Sequence, residues 1–169
     1  KGFRHIRTYA DFFGDRAAYA VIEEYVSGEE YIVNTFSDGK KTHVTDVWVY
    51  EKIDIENFKN VAYSAVNIPL SEPSIRGLMG HGIGLTKAFG IKRGPAHLEI
   101  RNDPIRGPTL IEINARLCGA TLPDFITKYT NFDIYRATIE VFADGKIVFP
   151  DPLVFQKHFA IACCPLFKS

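Results

Sequence analysis

Residues 29–52, EEYIVNTFSDGKKTHVTDVWVYEK, carry two β-rich runs on either side of Asp38-Gly39, and no other stretch restricts the fold so strongly. Val, Ile, Thr, Tyr, Phe and Trp suit a pleated, half-buried backbone, and Asp-Gly accepts the left-handed conformations of a tight hairpin. An antiparallel hairpin is expected, with Ser37-Asp38-Gly39-Lys40 as its turn. A strand over AYAVIEEYV from about Ala18 precedes it, and a polar stretch at 53–60 reads as a loop before a short strand near 61–66. GPAHLEIRND (94–103) and TLIEINAR (109–116), joined through Pro104 and Gly107-Pro108, read as a second antiparallel pair, and VFQKHFAIACC (154–164) as a last strand.

Helices fill the gaps. Ser71-Glu72-Pro73-Ser74 opens one that runs to about Phe89, with Ile75, Leu78, Met79, Leu85, Ala88 and Phe89 roughly on one face. Thr121 with Pro123 opens a second through about Lys128. Asp133 caps a third that carries Ile134, Ala137, Ile139 and Val141 as far as the Asp144-Gly145-Lys146 turn. The fold class is therefore α+β, an antiparallel β-sheet flanked by helices. At 169 residues one main core is the default.

The remaining features mostly exclude. GHGIG at 80–84 has glycines on alternate positions inside a helix; with no strand before it and the wrong spacing, it reads as a close helix contact rather than a phosphate loop. Twenty basic against 20 acidic residues give no electrostatic reason for nucleic acid or an anionic membrane. Cys118, Cys163 and Cys164 form neither a spaced zinc pattern nor an even disulfide set, so a cytoplasmic setting is the simplest. No apolar run approaches the roughly 20 residues of a spanning helix, and no signal peptide is read at the N-terminus, although the opening without Met suggests a segment of a longer polypeptide.

The chemistry lies in the second strand pair. Strand side chains alternate faces, so Ala96, Leu98 and Ile100 point one way and His97, Glu99 and Arg101 the other. In the next strand Ile111 and Ile113 share the apolar side, opposite Leu110, Glu112 and Asn114. If the strands pair, Glu99 and Glu112 become neighbours that repel unless something compensates them. A hard divalent cation removes the conflict: Mg²⁺ takes one or two protein carboxylates and completes its octahedron with water and phosphate oxygens. Asn114 offers a neutral oxygen, and Arg116 a planar fork of donors for a phosphate or carboxylate. A solvated outer sheet face is the bland alternative.

Three segments in order, VIEEYVSGEEY (21–31), GPAHLEIR (94–101) and LIEINARLCGATLP (110–123), resemble the ATP-grasp superfamily of carboxylate-amine ligases, most nearly amino-acid ligases of the bacilysin- and dapdiamide-synthetase kind. The resemblance spans roughly 15–145. It implies that Glu23, Glu24, Tyr25 and Val26 line the adenine pocket, chiefly through the Glu24 carbonyl and the Val26 N–H, and that Glu30 meets the ribose hydroxyls, with Glu29 the alternative. It places the metal ligands on Glu99, Glu112 and Asn114, and gives Arg116 the transferred phosphoryl group.

The cofactors so implied are ATP and Mg²⁺, with Mn²⁺ as a substitute. The partners are a small carboxylate and an amine, joined through an acyl phosphate, and a homo-oligomer is compatible. His97 reads as a hydrogen-bonding residue behind the site, and Cys118 as structural. The resemblance further divides the chain into 1–17, the tail of a preceding subdomain helix; 18–148, the adenine strand and metal-binding half; and 149–169, the start of a C-terminal subdomain or strand. The two lysines that hold the α- and β-phosphates in the family are not found ahead of AYAVIEEY. The expectation is thus the carboxy-terminal part of a ligase; a noncatalytic nucleotide-binding module and one half of a split ligase are the alternatives.

Overall fold

The computed structural model describes residues 21–55, 58–145 and 147–162. Six strands, β1 Glu29–Asp38, β2 Thr42–Ile55, β3 Phe58–Ile68, β4 Arg93–Asp103, β5 Gly107–Asn114 and β6 Ala160–Ala162, form one sheet in the order β5-β4-β1-β2-β3-β6. Every neighbouring pair is antiparallel. A 3₁₀ turn at Pro73–Ile75 leads into α1, Arg76–Ala88, and after the sheet's second half come α2, Leu122–Tyr129, and α3, Ile134–Ala143. This is the expected α+β architecture. No helix among the described residues is long and apolar enough to cross a membrane.

The β1–β2 turn forms as its residues require. Asp38 Oδ1 accepts the N–H groups of Lys40 and Lys41, both at 2.7 Å, and Gly39 takes φ +92°. Burial alone would raise the Asp38 carboxyl, but those two N–H groups and His43 hold it below the usual range. At the centre of the sheet Ile32 to Ser37 are all buried, because helices cover both faces of β1. On one face the 3₁₀ turn and α1 lay Ile75 and Leu78 over Val33, Val47, Leu98 and Ile100. On the other α2 and α3 bring Ile126, Ile134 and Val141 onto Phe36, and Leu122 onto Ile32 and Trp48.

Four local expectations are corrected. The described part of AYAVIEEYV, Val21–Val26, is not a strand. Side chains of the β4–β5 hairpin hold it instead, Arg101 on the Val26 carbonyl and Arg106 on the Glu24 carboxylate. Of the loop expected at 53–60, residues 53–55 and 58–60 instead belong to β2 and β3, with Ile55 opposite Phe58, because the ladder is made by backbone groups whatever the side-chain polarity. Of VFQKHFAIACC only Ala160–Ala162 is strand, added to β3, and Cys163 and Cys164 lie outside the described residues. In α1 the apolar face ends at Leu85, and Phe89 is 59% exposed beyond the helix end.

Of the glycines in GHGIG, Gly82 is the one that meets the sheet. A Cβ there would stand 2.7 Å from Val33 Cγ1, whereas Gly80 and Gly84 face open space. Gly82→Ala is expected to destabilise by about 1–3 kcal/mol through overpacking. Gly80→Ala and Gly84→Ala should each stabilise by about 0.4–1 kcal/mol by reducing unfolded-chain entropy. Urea unfolding of the three variants decides it, and equal signs at all three positions would overturn the contact.

Candidate functional site

Helices α2 and α3 cover only part of their face of the sheet. The open remainder is polar because alternate residues of β1, β2, β4 and β5 arrive there together. Register puts Arg101 opposite Glu30, Glu99 opposite Ile32 and His97 opposite Asn34, so one parity of β1 and β4 supplies Glu30, Asn34, His97, Glu99 and Arg101 to the same surface.

Glu99 and Glu112 are direct register partners across β4 and β5, and His97 stands opposite Asn114. A β-bulge next to this pair, between Glu99 and Ile100, leaves Ile111 without a partner and corrects the expected facing. Leu110 joins Ile113 on the α1 core, while Ile111 is 41% exposed, since one extra residue reverses the alternation on the far side of a bulge. Asn114 Nδ2 donates to Glu112 Oε1 at 2.6 Å, which leaves the amide oxygen and the second carboxylate oxygen unshared among the described residues. Asp103, at the end of the same hairpin, accepts the N–H groups of Arg106 and Ile105 and the Ser27 hydroxyl. These hold its carboxyl well below the usual range.

The Glu99 side of the pair is held from beneath. Its Oε1 accepts the Tyr50 hydroxyl at 3.1 Å and lies 3.7 Å from His97 Nε2. Together His97 and Tyr50 keep this half-buried carboxyl below the usual range against the opposing effect of burial. His97 is 6% exposed and its Nδ1 lies 2.9 Å from Asn34 Oδ1. That oxygen only accepts, so Nδ1 carries the proton and donates. Asn34 Nδ2 in turn donates to Asp46 at 2.6 Å, and Thr45 and Trp48 donate to the same carboxylate at 2.7 and 2.5 Å. Asp46 is 1% exposed, and burial pushes its carboxyl up despite these three donors. A buried polar network with every member satisfied fixes side-chain directions at the surface above it.

At the other end of the face Glu30, 9% exposed, accepts Lys52 Nζ and Arg101 Nε on the same oxygen, each at 2.7 Å. Arg101 also donates to the Val26 carbonyl at 2.6 Å, and its guanidinium lies 5.2 Å from the Tyr25 ring centroid. Those contacts, with Ser27 on Asp103 at 2.9 Å and Glu24 on Arg106 at 3.0 Å, tie segment 21–28 to the β4–β5 hairpin. Gly28 is required in this path: its φ is +96° and a Cβ would stand 2.1 Å from the Asn102 carbonyl oxygen. Glu23 is exposed, and Glu29 follows the other parity, accepting the Tyr31 hydroxyl at 2.8 Å.

Two cavities open on this face. One of about 640 Å³ is bounded by Tyr25, Glu30, Tyr50, Lys52 and Arg101. The second, of about 310 Å³, is bounded by Tyr50, Ser64, His97, Glu99 and Arg116 with an apolar side at Ile32 and Leu122. Arg116 donates to the Leu117 carbonyl at 2.8 Å and has no acidic partner among the described residues. Cys118 lines the same cavity, and burial pushes its thiol up to about 12, the mark of an inert side chain. The structure thus gathers Glu30, Glu99, Glu112, Asn114 and Arg116 along one surface and brings Tyr25 and Val26 to its rim, with Glu23 exposed and the Glu24 carboxylate on Arg106. Sequence reasoning placed Arg101 on this face without a role and missed Asn34, Asp46, Tyr50 and Lys52 as parts of it. The one available signal was the shared parity of Asp46, Trp48 and Tyr50 in β2.

The donor set suits a hard cation. Two carboxylates and one amide oxygen are donors of the kind Mg²⁺ takes when water and phosphate oxygens complete its shell, although no group of three or more His, Cys, Asp or Glu among the described residues could hold a metal ion by itself.

A profile of the ATP-grasp domain matches residues 5–124. Dapdiamide A synthase of Enterobacter agglomerans is 26% identical over 126 residues, which cover 75% of this chain and 29% of that protein. Among solved structures, an L-amino acid ligase from Bacillus licheniformis superposes with a TM-score of 0.59 at 22% identity, over 69% of this chain and 28% of its own. Biotin carboxylase from Campylobacter jejuni gives 0.61 at 18% identity, over 82% and 30%. The chain spans less than a third of the length of each of these relatives.

Proposed function

The chain belongs to the ATP-grasp family, and from that premise we propose that it is the metal-binding and adenine-contacting part of a ligase that uses ATP and Mg²⁺ to join a carboxylate to an amine through an acyl phosphate. A dipeptide or related amide is the product class. The observation that carries this reading is the cross-strand pair Glu99–Glu112 with Asn114 beside it, on a face that also presents Arg116, which has no acidic partner among the described residues.

In this reading Glu99, Glu112 and Asn114 hold the metal, which when bound screens the phosphate charges of ATP. The remaining work is positioning and charge stabilisation. The 640 Å³ cavity takes the nucleoside: Glu30 turns its free oxygen to the ribose, while the Glu24 carbonyl and Val26 N–H meet the base edge beside Tyr25. The 310 Å³ cavity takes the carboxylate substrate, and Arg116 lies where its fork of donors meets the transferred phosphoryl group. The amine then attacks the acyl phosphate and phosphate leaves. The division into 1–17, 18–148 and 149–169, a cytoplasmic setting and a homo-oligomer belong to the same proposal. The free Cys118 thiol is in keeping with a reducing compartment.

Trapping tests it. The full-length protein with ATP, Mg²⁺, one amino acid and hydroxylamine should yield an amino-acyl hydroxamate and ADP together, and EDTA should abolish both. Absence of hydroxamate and ADP across a panel of amino acids would overturn the ligase assignment.

A further inference from the structure

Among the described residues, Tyr50 is the one side chain that bounds both cavities and also touches a carboxylate of the acidic pair. Its ring lines the 640 Å³ space with Glu30, Lys52 and Arg101, and the 310 Å³ space with His97, Glu99 and Arg116. Lys52 Nζ lies 5.8 Å from the ring centroid on the first side. The hydroxyl donates to Glu99 Oε1 at 3.1 Å, and the ring packs against the cluster of Ile32, Trp48, Ala65 and Leu122. Opposite Ala65 in the β2–β3 ladder, the ring has only a methyl facing it across the pair, so nothing else on β3 at that register walls one space from the other. The hydroxyl is the donor of this contact, since a carboxylate oxygen only accepts.

We propose that Tyr50 is a positioning residue with two separable duties: its hydroxyl orients Glu99, and its ring is the partition between the nucleotide cavity and the acceptor cavity. The inference rests on the ligase reading above. In the partitioned site the γ-phosphorus meets only the substrate carboxylate. Without the ring, water enters the same space. Its oxygen bonds to the γ-phosphorus, the bond to the bridging oxygen of ADP breaks, and inorganic phosphate leaves with one proton released. ATP is then consumed with no amide formed.

Two variants separate the duties. Tyr50→Phe keeps the wall and removes the donor; partners behind a metal ligand are typically worth about 10–100-fold in metal affinity, so Mn²⁺ binding to the full-length protein with a non-hydrolysable ATP analogue, read by electron paramagnetic resonance, should weaken at least about 10-fold. ADP formed per amide should stay at one. Tyr50→Ala removes both groups, and its ratio of ADP to amide should rise several-fold, with far-ultraviolet circular dichroism matching the parent. Unchanged Mn²⁺ affinity in Tyr50→Phe would overturn the orienting duty, and a ratio of one in a folded Tyr50→Ala the partition. Failure of the ligase reading has a different signature, no amide from the unmutated protein, and the Mn²⁺ measurement still decides the Tyr50–Glu99 link in that event.

Discussion

Glu112→Gln in the full-length protein is expected to lower ATP-dependent amide formation by about 10²–10³-fold, the equivalent of several kcal/mol of charge stabilisation at a metal-assisted transfer. The physical argument has two sides. Glu112 is exposed, and its contact among the described residues is the Asn114 amide at 2.6 Å, which a glutamine oxygen still accepts. Its register partner is Glu99, and like charges directly opposite on antiparallel strands destabilise by roughly 0.2–1 kcal/mol. The metal-free variant should therefore be as stable as the parent or slightly more so, while Mn²⁺ affinity and turnover fall. Stability and activity moving in opposite directions distinguishes a ligand from a structural residue. Unchanged turnover with unchanged Mn²⁺ affinity would sink the metal assignment.

Trp48→Ala should remove about 3–5 kcal/mol of folding stability, a large part of the 5–15 kcal/mol typical of a domain. Trp48 is fully buried against Ile32, Ala65 and Leu122, and its Nε1 is one of three donors that keep Asp46 tolerable in the interior. Trp48→Phe isolates the second contribution. It keeps a large ring and deletes the donor, and leaving a buried acceptor short of a partner costs about 1–3 kcal/mol.

The pH dependence has a definite sign. Burial raises the Asp46 carboxyl in the folded state, so the native protein binds that proton more tightly than the unfolded chain and is penalised as pH rises through the folded value. Loss of the Trp48 donor raises the group further. The Trp48→Phe deficit should accordingly be larger at pH 7 than at pH 4. The chain has a single Trp, so circular dichroism rather than its fluorescence must follow the urea transitions. A deficit independent of pH would mean that the Asp46 hydrogen bond contributes nothing.

Period-2 alternation in GPAHLEIRND and TLIEINAR was enough to place Glu99 and Glu112 on one face, and their pairing follows from a short antiparallel connection. Turn chemistry at Asp38-Gly39 and caps such as Asp133, which accepts Arg136 N–H at 3.0 Å, are local and therefore readable. Other features depend on neighbours remote in sequence. Val21–Val26 stay outside the ladder and are held by side chains of the β4–β5 hairpin, about 80 residues away, Arg101 on the Val26 carbonyl and Arg106 on Glu24. Leu110 and Ile111 exchange faces because of one bulge, and composition does not announce where an extra residue is absorbed. Asn34, Asp46 and Tyr50 look like ordinary strand residues until register brings them beneath His97 and Glu99.

By itself, then, the sequence determined the three helices, the two hairpins and the acidic pair, because these follow from interactions within one element or across one turn. Tertiary structure alone decided which carboxylates are held and which are left free: Glu30 clamped by Lys52 and Arg101, Glu99 by Tyr50, Asp46 by three donors, and Arg116 without an acidic partner among the described residues. The reason is physical. A charge's partners are set by the register of strands dozens of residues apart, and only the assembled sheet fixes that register.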